Sequence, residues 1–219
     1  MKNKALIFLT TFILITCLCE RSFANLVING DFESSDVRTN TWRWFTADNV
    51  DGWEGSNVEV WDSFRGIDAY SGTQFAELNA HANRGQAFTI FQSLQTEIDN
   101  LYDLTFAYRA RRNNSEAFSV SLSTDSTLLF SNTLTDHTTS NWSIFRHQFV
   151  ATSELTRISF TSIFPRKGTV GNFLDDIQVV EHPTLTTQSA LVSGPTTAGL
   201  FALSFVLITA FFYRRKRQA

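Results

Sequence analysis

From Leu101 to Arg111 the chain alternates: Leu104, Phe106 and Tyr108 fall on one side, Asp103, Thr105 and Arg109 on the other. This period of two is that of a half-buried strand. The pattern recurs at Phe118, Val120 and Leu122, at Phe145, His147 and Phe149, and at Ile177 and Val179. No stretch between Asn25 and Pro183 shows a 3.6-residue period. Turn clusters such as Arg112-Asn113-Asn114-Ser115 and Arg166-Lys167-Gly168 separate the runs, and β-branched and aromatic residues fill them. About eight to ten short strands at this spacing predict two antiparallel sheets packed face to face, an all-β antiparallel β-sandwich or jelly roll. Phenylalanine, at 21 residues, is the predicted filler between them.

Two apolar segments break the alternation, one at each end. Lys2 and Lys4 precede an uncharged run from Ala5 to Leu18, and Ser22-Phe23-Ala24 puts small residues at the positions a signal peptidase reads, so residues 1–24 are expected to be removed as a signal peptide. Thr16 and Leu18, rather than Gly or Ala, precede Cys17 and Cys19, which favours ordinary cleavage over lipoprotein processing. Both cysteines then leave with the signal, and the domain is left without a disulfide. At the other end Ala198 to Tyr213 is predicted to be a transmembrane helix, although it is shorter than the usual ~20 residues. Arg214-Arg215-Lys216-Arg217 follows directly, and residues 214–219 would form a basic cytoplasmic tail that leaves everything before the span outside. Residues 184–197, rich in Ser and Thr, read as a linker. The expected location is therefore the inner membrane, single-pass with the N-terminus outside, and then the envelope, surface or extracellular matrix.

Setting the ends aside changes the charge. Residues 25–183 hold 11 Lys and Arg against 20 Asp and Glu, a net −9, whereas the whole chain is at −3. A surface this acidic argues against nucleic acid or anionic lipid as partner, because phosphate binding needs basic groups.

Chemistry is sparse. His81, His137, His147 and His182 lack metal-ligand spacing, and no GxSxG elbow or glycine-rich phosphate loop is present. Glu54, Glu59 and Glu77 are expected to be strand-surface acids, and Arg109 and Arg111 to be solvated on one strand face. The chain is read as a non-enzyme. Aromatic density is the better lead: Trp42, Trp44, Trp53 and Trp61 lie close together in sequence, with Tyr70 behind them. Sugar rings stack on such side chains while polar neighbours bind the hydroxyls. The candidate ligand-binding set is Trp44, Trp53, Trp61, Tyr70, Glu77 and Arg109, with Arg43 and Asp62 as further donors and acceptors. Trp53 and Trp61 also suit core packing, whereas Trp44 and Tyr70 are expected to be exposed.

Several segments carry a resemblance. Asn29-Gly30-Asp31-Phe32-Glu33, Gly52-Trp53, Val58-Glu59-Val60-Trp61, Phe75-Ala76-Glu77-Leu78-Asn79, Tyr108-Arg109-Ala110-Arg111 and Phe173-Leu174-Asp175-Asp176-Ile177 follow in that order. In this the chain resembles the galactose-binding-like jelly roll, the fold of many carbohydrate-binding modules and of related exported bacterial domains of unknown function. The resemblance implies a glycan or polysaccharide partner. It also implies a structural Ca²⁺ at one edge of the sandwich, with Glu33 and Asp175 as ligands and Asp31 and Asp176 as additional ones. The C-terminal part resembles the PEP-CTERM tails that exosortases process in Gram-negative bacteria. Val192-Ser193-Gly194-Pro195 stands at the motif position, without the usual Pro-Glu-Pro. A plain type I membrane anchor accounts for the same hydrophobic length and charge. The expected function is a surface-anchored or matrix-delivered carbohydrate-binding module, and the alternative is a structural matrix protein that recognises no glycan.

Overall fold

The computed structural model describes residues 24–80, 88–166 and 168–182. Residues 1–23 of the expected signal peptide, and the expected linker, membrane span and basic tail, lie outside the described residues. Among the described residues no helix is long and apolar enough to cross a membrane.

Eleven strands form the domain: β1 (Thr41–Phe45), β2 (Glu54–Gly55), β3 (Val58–Asp62), β4 (Gln74–Glu77), β5 (Thr89–Gln95), β6 (Leu101–Arg109), β7 (Ala117–Ser123), β8 (Leu128–Leu134), β9 (Ser143–Val150), β10 (Leu155–Phe164) and β11 (Phe173–Glu181). They make two sheets, one in the order β1-β3-β4-β11-β6-β9 and one in the order β2-β5-β10-β7-β8. Each strand pairing is antiparallel. The expected sandwich is therefore present, with short 3-10 turns at Ala47–Asn49 and Phe64–Gly66 as its only helical elements among the described residues.

Alternation fills the space between the sheets. Leu104, Phe106 and Tyr108 of β6 face Phe118, Val120 and Leu122 of β7 and Ile158 and Phe160 of β10 in one continuous core. Phe106 meets Phe160 edge to face at 5.0 Å between centroids, which locks the sheets through the quadrupoles of the two rings.

The start of the domain is stitched to its last strand. Asn25 pairs with Val180, Leu26 donates to the Val179 carbonyl at 2.8 Å, and Asn25 Oδ1 accepts the Val179 N–H at 2.9 Å. The adjoining Asn29-Gly30-Asp31-Phe32 turn carries left-handed backbone at Asn29 and Phe32. Gly30 accepts the Ile177 N–H, and a Cβ on it would stand 2.0 Å from the Ile177 oxygen, so only glycine fits there. On the far side Gln92 of β5 exchanges hydrogen bonds with both backbone groups of Ile28 at 2.7 and 3.0 Å, tying this segment to the second sheet.

Candidate functional site

Cross-strand register sorts the outer face of the six-stranded sheet into rows, because directly opposed residues share a face. One row runs Trp44, Glu59, Glu77, Phe173 and Arg109, and beyond it lie Trp42, Trp61 and Phe75. Toward the opposite end follow Asp175, Ala107 and Ile144, then Gln178, Thr105 and Arg146, then Val180, Asp103 and Gln148. The first two rows are largely covered. The rest are open.

The cover is the segment 63–73, which lays Phe64, Ile67 and Ala69 over an aromatic cluster of Trp61, Phe75 and Phe173, with Trp142 against its side. Trp61 packs at 5.3 Å from Phe173 and Phe75 at 4.9 Å from it. Two carboxylates, Asp175 and Glu33, expected from the resemblance as calcium ligands, hold this segment in place. Asp175 Oδ2 accepts the N–H groups of Tyr70 and Ser71 at 2.7 and 3.0 Å, and its Oδ1 accepts that of Asp176 at 2.7 Å. Glu33 Oε1 accepts the N–H groups of Thr73 and Gln74, both at 2.6 Å, while Oε2 takes the Thr73 hydroxyl at 3.1 Å. Gly72 is required between them, since its φ is +62° and a Cβ would lie 2.3 Å from Glu33 Oε1.

These contacts bear on the expected calcium. Asp175 and Glu33 are turned to N–H and O–H groups of the covering segment. Asp31 is partly spent on the Glu33 N–H at 3.4 Å, and Asp176 accepts from Gln178 Nε2 at 2.7 Å. Among the described residues no group of three or more His, Cys, Asp or Glu stands together in a way that could hold a metal ion. Hydrogen bonds from the covering segment to Glu33 and Asp175 staple this edge. Burial pushes the Asp175 carboxyl up to about 7, against the pull of its three backbone donors.

Several expected ligand-binding residues are structural. Trp53 is buried between the sheets, stacks on Phe32 at 5.5 Å and donates its indole N–H to the Asn29 carbonyl at 3.1 Å. Trp61 is buried beneath the 63–73 segment, and its indole N–H is shared by Glu59 Oε1 at 3.2 Å and Glu77 Oε2 at 3.1 Å. Glu77 is fully buried rather than a surface acid, and Glu59 is buried too. Arg111, expected to be solvated, lies over the Trp61 ring at 4.5 Å and reaches Glu77 at 2.6 Å, while the Gly171 N–H adds a bond of 2.7 Å to the same carboxyl. Burial holds Glu77 well above the usual carboxylate range, with Arg111 drawing it back. Arg109 is half-buried and donates to the Thr139 carbonyl. Trp61 is drawn under cover because the 63–73 segment, which joins β3 to β4, closes over this part of the outer face.

Trp44 and Tyr70 are exposed, at 41% and 47%, as the sequence predicts. They stand in different settings. Trp44 is on the edge strand β1, beside a shallow hollow lined also by Arg43, Phe45, Thr46 and Asn49. Tyr70 overlooks the open rows. There it lines a hollow of about 160 Å³ with Thr105, Ala107, Ile144, Arg146, Asp176 and Gln178. A wider hollow of about 520 Å³ adjoins it, shares Thr105 and Arg146, and adds Asp103 and Gln148. A bulge in β11 between Asp175 and Gln178 brings Asp176 to this surface, with left-handed backbone at Asp176.

Together the hollows form a trough along β6 and β9. Asp103 to Ala107 spans ~13 Å at the rise of an extended strand. At its upper end Tyr70 and Ile144 stand beside Asp176 and Gln178, and at its lower end lie Arg146, Gln148 and Asp103. Asp103 is fixed by Gln148 Nε2 and by His182 Nδ1, both at 2.7 Å, and that histidine contact holds its carboxyl below the ordinary value. Arg146 is exposed and has no ion-pair or ring partner among the described residues. Sequence reasoning missed Arg146, Gln148 and Gln178, although the polar positions interleaved with Phe145, His147 and Phe149 were the available signal.

A domain of this architecture, two antiparallel sheets packed face to face, belongs to the β-sandwich class. Residues 25–180 match the family described as a protein of unknown function, DUF642, and the chain belongs to that family. It is similar to Halomucin of Haloquadratum walsbyi, with 26% identity over 163 residues; the match takes in 72% of this chain and spans 2% of the length of Halomucin. Among solved structures it is similar to a family 16 carbohydrate-binding module, at 19% identity and a TM-score of 0.48, covering 72% of this chain and 100% of the other. It is similar too to a family 61 module in complex with β-1,4-galactotriose, at 15% identity and a TM-score of 0.45, covering 73% and 99%. A xylan-binding domain of family 22 follows at 16% and 0.44, covering 74% and 98%.

Proposed function

We propose that the domain is a non-catalytic binding module whose ligand is a carbohydrate, held in the trough beneath Tyr70. The observation that carries this reading is the trough itself. An exposed aromatic ring and a branched aliphatic side chain flank its upper part, and side-chain amides, a guanidinium and carboxylates line the rest, which is the mixture of apolar face and hydroxyl partners that a sugar presents in mirror image. The acids offer no support for hydrolysis. Glu59 and Glu77 are enclosed under Trp61, and Asp103 and Asp176 are each bonded to a neighbouring side chain.

The test is a glycan array followed by calorimetry on the hits, with Tyr70→Ala and Arg146→Ala. Removing the ring should weaken binding about tenfold, the scale of one aromatic contact. Equal retention of both variants and the parent counts against the trough. Concentration-dependent self-association with an empty array would favour a structural matrix role.

The two sequence ends support a further part of the proposal: export through a signal peptidase, attachment to the inner membrane by residues 198–213, and release or transfer by an exosortase-type enzyme. A reporter fused ahead of Thr196 should be active outside the cytoplasm. Mass spectrometry of the mature C-terminus separates processing from a permanent anchor, since an intact Arg-Arg-Lys-Arg sequence would leave only the anchor.

A further inference from the structure

The trough is closed at one end. On β6 and β9 the pairs that face outward are Asp103 with Gln148, Thr105 with Arg146, and Ala107 with Ile144. The ladder pairs Tyr108 with Ser143, so the next outward pair is Arg109 and Trp142. The first three pairs line the hollows; the fourth does not. Arg109 is bonded to the Thr139 carbonyl, Trp142 donates its indole N–H to the Asp68 carbonyl at 2.9 Å, and the Trp142 ring packs edge to face on Phe75 at 5.5 Å. The strap from Asp68 to Trp142 thus crosses the outer face just beyond Ala107 and Ile144. Phe173 and Glu77 lie in the same row as Arg109, so the obstruction continues across β11 and β4. At the opposite end, past Asp103 and Gln148, the same face carries no covering segment among the described residues.

We propose that this trough receives one terminus of a glycan chain and excludes the chain interior. The inference rests on the carbohydrate-binding reading above. The terminal sugar lies at the blind end against Tyr70 and Ile144, beside Asp176 and Gln178. The next units lie over Thr105 and Arg146 and leave past Asp103 and Gln148. A polymer cannot thread through, because the row of Arg109 and Trp142 stands where its next unit would go.

Calorimetry on the intact domain tests this with ladders of gluco-, xylo-, galacto- and uronate oligosaccharides, from disaccharide to hexasaccharide, and with their parent polymers of known chain number. The expected result is one domain bound per chain whatever the chain length. Affinity should level off at a short oligomer, and polymer capacity per unit mass should fall in proportion to chain length. Stoichiometry that grows with chain length overturns the proposal while leaving carbohydrate binding intact. No saturable binding to any ladder or polymer overturns both.

Discussion

Asp175 Oδ2 accepts the Tyr70 N–H at 2.7 Å, so the aromatic ring that overlooks the trough is held by a carboxyl with no exposure of its own. That carboxyl titrates near 7 in the folded domain and near 4 in an unfolded chain. The folded state therefore binds the proton more tightly. The stability this gives is complete below about pH 4 and is lost as pH rises through about 7. Glu77, also raised by burial, acts with the same sign. Between pH 5 and pH 8 this contribution lowers the thermal midpoint, while His137 and His147, held below the usual imidazole range by burial, raise it, so the Asp175 share is read as the difference in slope between the parent and Asp175→Asn. Identical slopes for the two would contradict the assignment.

Replacing Arg111 by Ala strips from the fully buried Glu77 its one cationic partner among the described residues. An uncompensated buried charge of this kind costs about 3 kcal/mol or more. Pairing Arg111→Ala with Glu77→Gln should recover a good part of the loss, which urea denaturation of the single and double variants would measure. Equal midpoints for the two would show that the ion pair adds nothing.

The tryptophans should divide sharply. Trp53→Ala removes a side chain packed between the sheets and is expected to cost about 3–5 kcal/mol. Trp44→Ala, on an exposed edge, should stay within about 0.5 kcal/mol of the parent. Comparable losses at both positions would mean that β1 packs more closely than described.

With Glu33 and Asp175 occupied by backbone donors, millimolar calcium and excess chelator should leave the thermal midpoint unchanged. A saturable upward shift on adding calcium, abolished in Asp175→Asn, would reinstate the cation at this edge.

How much of this was legible in sequence follows from the range of each interaction. Alternation is local, so Leu104, Phe106 and Tyr108, and likewise Phe118, Val120 and Leu122, announce their strands and the face they bury. Exposure on the other face is decided at a distance. Trp61 and Glu77 occupy outward positions, yet both are buried because a segment of about ten residues between β3 and β4 folds back over them. Trp142, from a loop after β8, completes that cover, and no periodicity within β3 or β4 encodes it. Tyr70 was recognisable because turn residues flank it. Its neighbours in the trough were not, since Arg146 and Gln178 become a site only when β9 and β11 come to lie on either side of β6.

The pairing of Asn25 with Val180 brings the entry and exit of the domain to one spot. A β-sandwich moored this way can hang from a single thread or be spliced into a much longer polypeptide without parting any strand from its neighbour. Loss of Asn25 and Leu26 would, in turn, loosen the last strand first.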